Sequence, residues 1–227
     1  MKLFEEPKKR YRNLLLILLP LLLVGGFFGY TLYTSAKDFF GGEGDTQEVE
    51  ASPKYSLPEY GYQLRADCTQ IQFDYFQELI EAINNEDDDA AAKAVAKSFI
   101  ADFYTLSKKV VQYDIGGMNY VYSPQLPNIY TQARDHIYHY LNYFIDAYGA
   151  ENLLEVEQVT VEDFKKCDED MIVEGVAHPC WYARLSWTYV DKDTEFITSD
   201  YETLQDIYII KNVDSGRYEI VQIYGME

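Results

Sequence analysis

The stretch WYARLSWTYV, residues 181–190, alternates without a slip. Trp181, Ala183, Leu185, Trp187 and Tyr189 share one face, and Tyr182, Arg184, Ser186 and Thr188 share the other. A period of two, with large apolar groups on one side only, predicts a strand laid with that side on a core. Residues 199–211 and 217–224 predict two more strands, and NVDSGR between them predicts a hairpin turn with glycine at positive φ. Residues 153–164 are rich in valine and acids but alternate imperfectly, which predicts a bulged strand.

N-terminal to these strands the period changes to that of helices. Thr69 is placed to cap a helix carrying Phe73, Phe76, Leu79, Ile80 and Ile83 at helical spacing. The acids of NNEDDD break it and then favour the positive end of a second helix, expected over residues 88–108. Its apolar face is Ala92, Val95, Ala96, Phe99 and Phe103, and Lys108 and Lys109 suit its C-terminal end. A third helix is expected from residue 127 or 128 to Tyr148, with Tyr130, Ala133, Ile137, Leu141, Phe144 and Tyr148 as its stripe and Gly149 as its stop. Helices and then a run of antiparallel strands predict an α+β domain, in which a curved sheet packs its aromatic face on the helices.

The N-terminal end has a different character. The stretch NLLLILLPLLLVGGFFGYTLYT, from Asn13, holds no ionisable side chain but tyrosine. Its residues 14–33 would reach roughly 30 Å as a helix, the thickness of a bilayer core. The basic cluster KKRYR lies just before it, which keeps the N-terminus cytoplasmic and exports the chain beyond Tyr33. A cleaved leader would have a shorter apolar core and a small-x-small site, for which TSA at 34–36 is a weak candidate. The expected organisation is a basic tail at 1–12, a transmembrane helix at 13–35, a flexible acidic spacer at 36–59 and an extracytoplasmic α+β domain at 60–227. A flexible spacer of that length reaches about 25–30 Å. The expected location is the cell membrane, single-pass, with the C-terminal domain outside the cytoplasm.

Charge narrows the partners. The chain has a net charge of −19, yet residues 1–12 carry five cations against two acids, leaving −22 on the remainder. So acidic a domain repels nucleic acid and anionic lipid. The expected partners are the lipid bilayer, through residues 13–35, and other envelope proteins or a second copy.

The order of three helices, a short extended piece at MNYVY, a long helix and four long antiparallel strands resembles the nuclear-transport-factor-2-like superfamily. The segments YGYQL, DFYTL and DIGG also look like those of single-pass bacterial membrane proteins. The resemblance covers roughly residues 60–226. It implies a bent sheet wrapped round helices as a half-open cone, often with a pocket inside. The superfamily includes isomerases, dehydratases, transport adaptors and secretion scaffolds, so the fold alone does not choose an activity. Related enzymes place an Asp, Tyr or His inside the cone, which makes Asp102, Tyr104 and Asp114 candidates here. A pocket would be lined by Tyr104, Asp114, Trp181 and Trp187.

The other candidates come from the residues alone. Asp114, Gly116 and Gly117 read as a turn, the carboxylate bonding backbone N–H groups ahead of the glycines, with a short strand at 118–122 joining the sheet edge. Cys167 and Cys180 flank a loop between two neighbouring strands and form a candidate disulfide, with two free thiols as the alternative and Cys68 left over. His136 and His139 have a metal-like spacing on the third helix but no second pair, so they read as solvent residues and no metal is expected. No catalytic set, phosphate loop or cofactor motif is present, and neither an activity nor a cofactor is expected. The chain has 22 tyrosines, a residue type enriched at interfaces. Tyr138 and Tyr143, on flanks the helix core does not need, are the candidate interaction surface. The reading is a membrane-anchored interaction or scaffold domain, with a ligand-binding or isomerase-like cone as the alternative.

Overall fold

The computed structural model describes residues 55–196 and 198–224. Two short strands come first, β1 (Ser56–Leu57) and β2 (Tyr62–Gln63), paired antiparallel. Four helices come next among the described residues: α1 (Gln70–Asn84), α2 (Asp88–Phe103), α3 (Leu126–Asp135) and α4 (Leu141–Tyr148). The sheet then runs as β3 (Val156–Lys166), β6 (Cys180–Tyr189), β7 (Leu204–Lys211) and β8 (Tyr218–Tyr224), each antiparallel to its neighbour. A small hairpin, β4 (Met171–Val173) and β5 (Val176–His178), is inserted between β3 and β6.

This is an α+β domain, but the expected fold class needs correcting. Among the described residues no helix is long and apolar enough to cross a membrane. The transmembrane helix expected at 13–35 lies outside the described residues, as do the tail at 1–12 and most of the spacer at 36–59. The folded body starts before residue 60, because Leu57 is already buried and its strand pairs with Tyr62–Gln63. What the structure establishes is helices on antiparallel sheets.

Local chemistry accounts for the helix starts. Thr69 N–H donates to Gln72 Oε1 at 2.8 Å and Gln72 N–H donates to the Thr69 hydroxyl, a reciprocal capping box. Asp87 accepts from Ala90 N–H at 2.9 Å and caps α2. α2 is the central element. It packs on α1 at one side and on β3, β6, β7 and β8 at the other. Its residues are therefore buried well beyond a single stripe, with Ala91, Ala94, Ser98, Ile100 and Ala101 joining the expected face. Small side chains let the two layers approach it closely. The Tyr75 hydroxyl accepts from Val159 N–H at 2.8 Å and ties α1 to β3.

Four local expectations are corrected. α2 stops at Phe103, because Leu106 and Ser107 N–H both donate to Leu154 O and the chain turns along the start of β3. The third helix is two helices, broken over residues 136–140. The break swings Tyr138 inward, where its hydroxyl donates to Phe103 O at 2.7 Å and accepts from Gly116 N–H at 3.1 Å. The short strand at 118–122 is a single 3-10 turn, Met118–Tyr120, and then one parallel bridge from Val121 to Ile220. Strand β7 begins only at Leu204, after a 3-10 turn at Thr198–Asp200. The bulges expected in β3 fall between Val156 and Gln158 and between Val161 and Asp163.

Candidate functional site

The loop VVQYDIGG, residues 110–117, divides into a displayed half and an anchored half. Two backbone features make the anchored half. Gly117 takes φ +75° and donates its N–H to Asp102 Oδ2 at 2.6 Å. A side chain at Gly116 would place Cβ 2.2 Å from Asp102 O, so only glycine lets the loop lie against the end of α2.

Charge is neutralised under this contact. Lys109 is fully buried, and its ammonium meets Asp102 Oδ1 at 2.6 Å. Arg65 Nη1 meets Asp114 Oδ1 at 2.6 Å, and Asp114 Oδ2 accepts from Val110 N–H at 3.3 Å. The Arg65 hydrogen bond also holds the Asp67 carboxyl below its usual range. Arg65, Asp102, Lys109 and Asp114 border a shallow depression of about 300 Å³ that also meets Asn119 and Met118. Each of the two carboxylates there already faces a cation. Asp114 holds a turn and an ion pair rather than standing as an inward acid.

The displayed half carries the apolar surface. Val110 is 71% exposed, and Val111 and Tyr113 are also exposed. Gln112 N–H donates to Asn142 Oδ1 at 3.0 Å and the Tyr130 hydroxyl donates to Tyr113 O at 3.1 Å, so this half rests on α3 and α4. Beside Asn142 stand Tyr140 and Tyr143, exposed by 60% and 65%. Both rings lean on Phe144, at centroid distances of 6.2 and 6.0 Å. Val110, Val111 and Tyr113 are thus exposed on the loop, and Tyr140 and Tyr143 at the start of α4, the helix to which Gln112 bonds the loop. Monomeric domains seldom display large apolar groups in one patch without a use for them.

The sequence candidates divide accordingly. Tyr143 lies in the patch. Tyr138 does not: it is fully buried, and burial pushes its hydroxyl well above the ordinary tyrosine range. Of the pocket candidates, Tyr104 and Trp187 come together with ring centroids 4.2 Å apart, but both are buried in the core. Tyr104 donates to Gln205 Oε1 at 3.1 Å. Trp181, near the other end of β6, is buried and donates to Asp89 Oδ1 at 2.7 Å. The aromatic face of β6 is thus packed against the helices, and Asp114 lies in a separate place. His136 and His139 are exposed, and His178 is buried, accepting from Val213 N–H at 3.3 Å. Among the described residues no group of three His, Cys, Asp or Glu side chains is placed to hold a metal. Cys68, Cys167 and Cys180 are free thiols.

Lys109, Arg65, Val110, Tyr113 and Tyr140 belong to this site, and sequence reasoning missed them. The usable signal was the valine pair, which sits in a loop between two lysines and a glycine turn.

Compared with protein-family models, curated proteins and solved structures, the chain matches none. The arrangement of its own residues is therefore what bears on function.

Proposed function

We propose that this chain is a non-enzymatic interaction domain that binds a protein partner through loop residues 110–113 and the start of α4. The observation that carries this is the patch itself. Three exposed side chains, Val110, Val111 and Tyr113, sit on a loop pinned by Asp102, Arg65, Asn142 and Tyr130, and two exposed tyrosines, Tyr140 and Tyr143, stand at the start of α4, to which the loop is bonded. Pinning matters energetically, since a preorganised loop loses little freedom when a partner binds. Exposed tyrosines add rigid contact area.

The proposed setting is the outer side of a cell membrane. The uncharged stretch at 14–33, behind a basic cluster, supports tethering there. The partner is another envelope protein or a second copy of the chain, and the strong negative charge argues against nucleic acid.

A photo-cross-linking residue placed at Tyr143 in intact cells tests the proposal, with the exposed Glu162 position on β3 as the control. Discrete adducts from position 143 that are absent from position 162 are expected. They should be lost in a Val110→Ser/Tyr113→Ser variant that keeps the wild-type melting curve. Equal labelling from both positions would refute the surface.

A further inference from the structure

We propose that Cys167 and Cys180 are a dithiol that exchanges with a disulfide-bearing carrier, closing a bond that fastens the β4–β5 hairpin to the sheet. The backbone sets the two residues opposite each other. Lys166 pairs with Trp181, and one step further Cys167 N–H donates to Cys180 O at 2.8 Å. Residues facing in this way on antiparallel strands have Cα atoms about 5.5 Å apart. A disulfide spans Cα separations of roughly 4.4–6.8 Å, so the backbone already sits at bridging distance.

The side chains share one environment. Cys180 is buried with Tyr122, Ile210 and Val221, and Cys167, Met171 and Val173 pack on the same cluster. Burial, and then the adjoining Cys167 thiol, push the Cys180 thiol far above the ordinary cysteine range. Cys180 therefore waits as a protonated thiol, and the half-buried Cys167 is the group a carrier reaches first.

The exchange balances in two steps. The Cys167 thiolate attacks one sulfur of the carrier disulfide. The carrier S–S bond breaks, one carrier thiolate leaves, and a mixed disulfide remains on Cys167. Cys180 then attacks the Cys167 sulfur as its proton passes to the departing carrier sulfur, releasing the second carrier thiol, while the first carrier thiolate takes up the proton that Cys167 lost on ionising. The protein loses two electrons and two protons, and the carrier disulfide is reduced to two thiols.

The bond has a structural consequence. The residues it encloses hold β4 and β5, and Met171, Ile172 and Val173 form one wall of a groove of about 390 Å³. Gln125, Asn128 and Gln132 supply the facing wall from α3 and the turn before it. Ile172 is 73% exposed, so the hairpin is weakly held on its outer side. Oxidation fixes that wall.

The test uses the full chain and 2-hydroxyethyl disulfide, a neutral probe, because Asp168, Glu169, Asp170 and Glu174 surround the hairpin. The expected product has lost the mass of two hydrogens and yields one peptide pair joined through Cys167 and Cys180. It forms equally in Cys68→Ser and is absent in Cys167→Ser, where at most a capped Cys68 is found. Amide exchange of residues 172–177 slows by about tenfold on oxidation, as expected when a short loop is closed. A stable probe adduct on Cys167 beside an unreacted Cys180 would overturn the proposal. So would a bond to Cys68, or no reaction in chain whose melting curve is unchanged.

Discussion

Lys109 is the residue on which the 110–117 loop turns. An ammonium removed from water costs several kcal/mol unless a counter-charge meets it, and here Asp102 does so at 2.6 Å. The same carboxylate accepts the Gly117 N–H, so one side chain neutralises a buried charge and fixes the glycine turn. Asp102→Asn keeps the shape and removes the charge. We expect it to lower the unfolding free energy in urea by about 3–5 kcal/mol, the usual result of stranding one member of a buried pair. Adding Lys109→Met to Asp102→Asn removes the stranded charge and should recover most of that loss. No recovery in the double variant would show that Asp102 acts through the turn alone. The glycine turn was legible in sequence, but the ion pair beneath it was not. Two lysines after an amphipathic helix look like partners for its C-terminal dipole. The burial of one depends on Asp102 reaching round the helix end and on Gly116 coming within contact distance, neither of which is a local property.

Tyr138 shows the same division at the scale of elements. Helical periodicity assigns residues 127–148 to one helix with Ile137 on the buried stripe. The structure buries Tyr138 instead and breaks the helix to do so. Two hydrogen bonds, to Phe103 O and from Gly116 N–H, offset the helical bonds given up. Tyr138→Phe leaves both backbone groups buried and unpaired. The expected cost is about 1–3 kcal/mol in chemical denaturation. Amide protection should fall first at Gly116 and in residues 136–141, and uniform loss of protection across α1 and α2 would contradict this role. Elements governed by nearest neighbours were readable from the sequence. Thr69 caps α1 as expected, with Gln72 completing the box, and the buried face of β6 obeys the Trp181-to-Trp187 alternation. Elements decided by a distant partner were not. Tyr143 was legible as an exposed flank because the apolar stripe did not need it, whereas Val110 was hidden because apolar residues in a short run usually read as strand.

At the scale of the whole molecule, ion pairs tie one element to another, and their pKa directions set how the fold responds to acid. Burial pushes the Asp88 carboxyl up, but hydrogen bonds from Lys211 and Tyr218 outweigh it and hold it below the usual range. Glu155 is likewise raised by burial and lowered further by Lys192 and Ser107. Asp206 is held low by Arg184 and Tyr182. Asp88 joins the start of α2 to β7 and β8, and Glu155 joins the residue before β3 to the segments after α2 and β6. For each carboxyl the folded pKa lies below the unfolded value. The stability it contributes is complete above the unfolded carboxylate range, about 4, and is lost as pH falls through the folded values. An opposing effect comes from the net charge of −19, since protonating unpaired surface acids relieves repulsion and favours the compact state. Repulsion is spread over many exposed groups and is screened by salt, whereas the paired carboxyls are partly enclosed. We therefore expect unfolding stability to rise slightly between about pH 7 and 5, with the rise abolished in high salt, and to fall steeply below about pH 4. Asp88→Asn should lower stability at pH 7 and flatten the acid limb, because its contribution is already gone. A wild-type stability that keeps climbing down to about pH 3 would mean that relieved repulsion outweighs the stitching pairs.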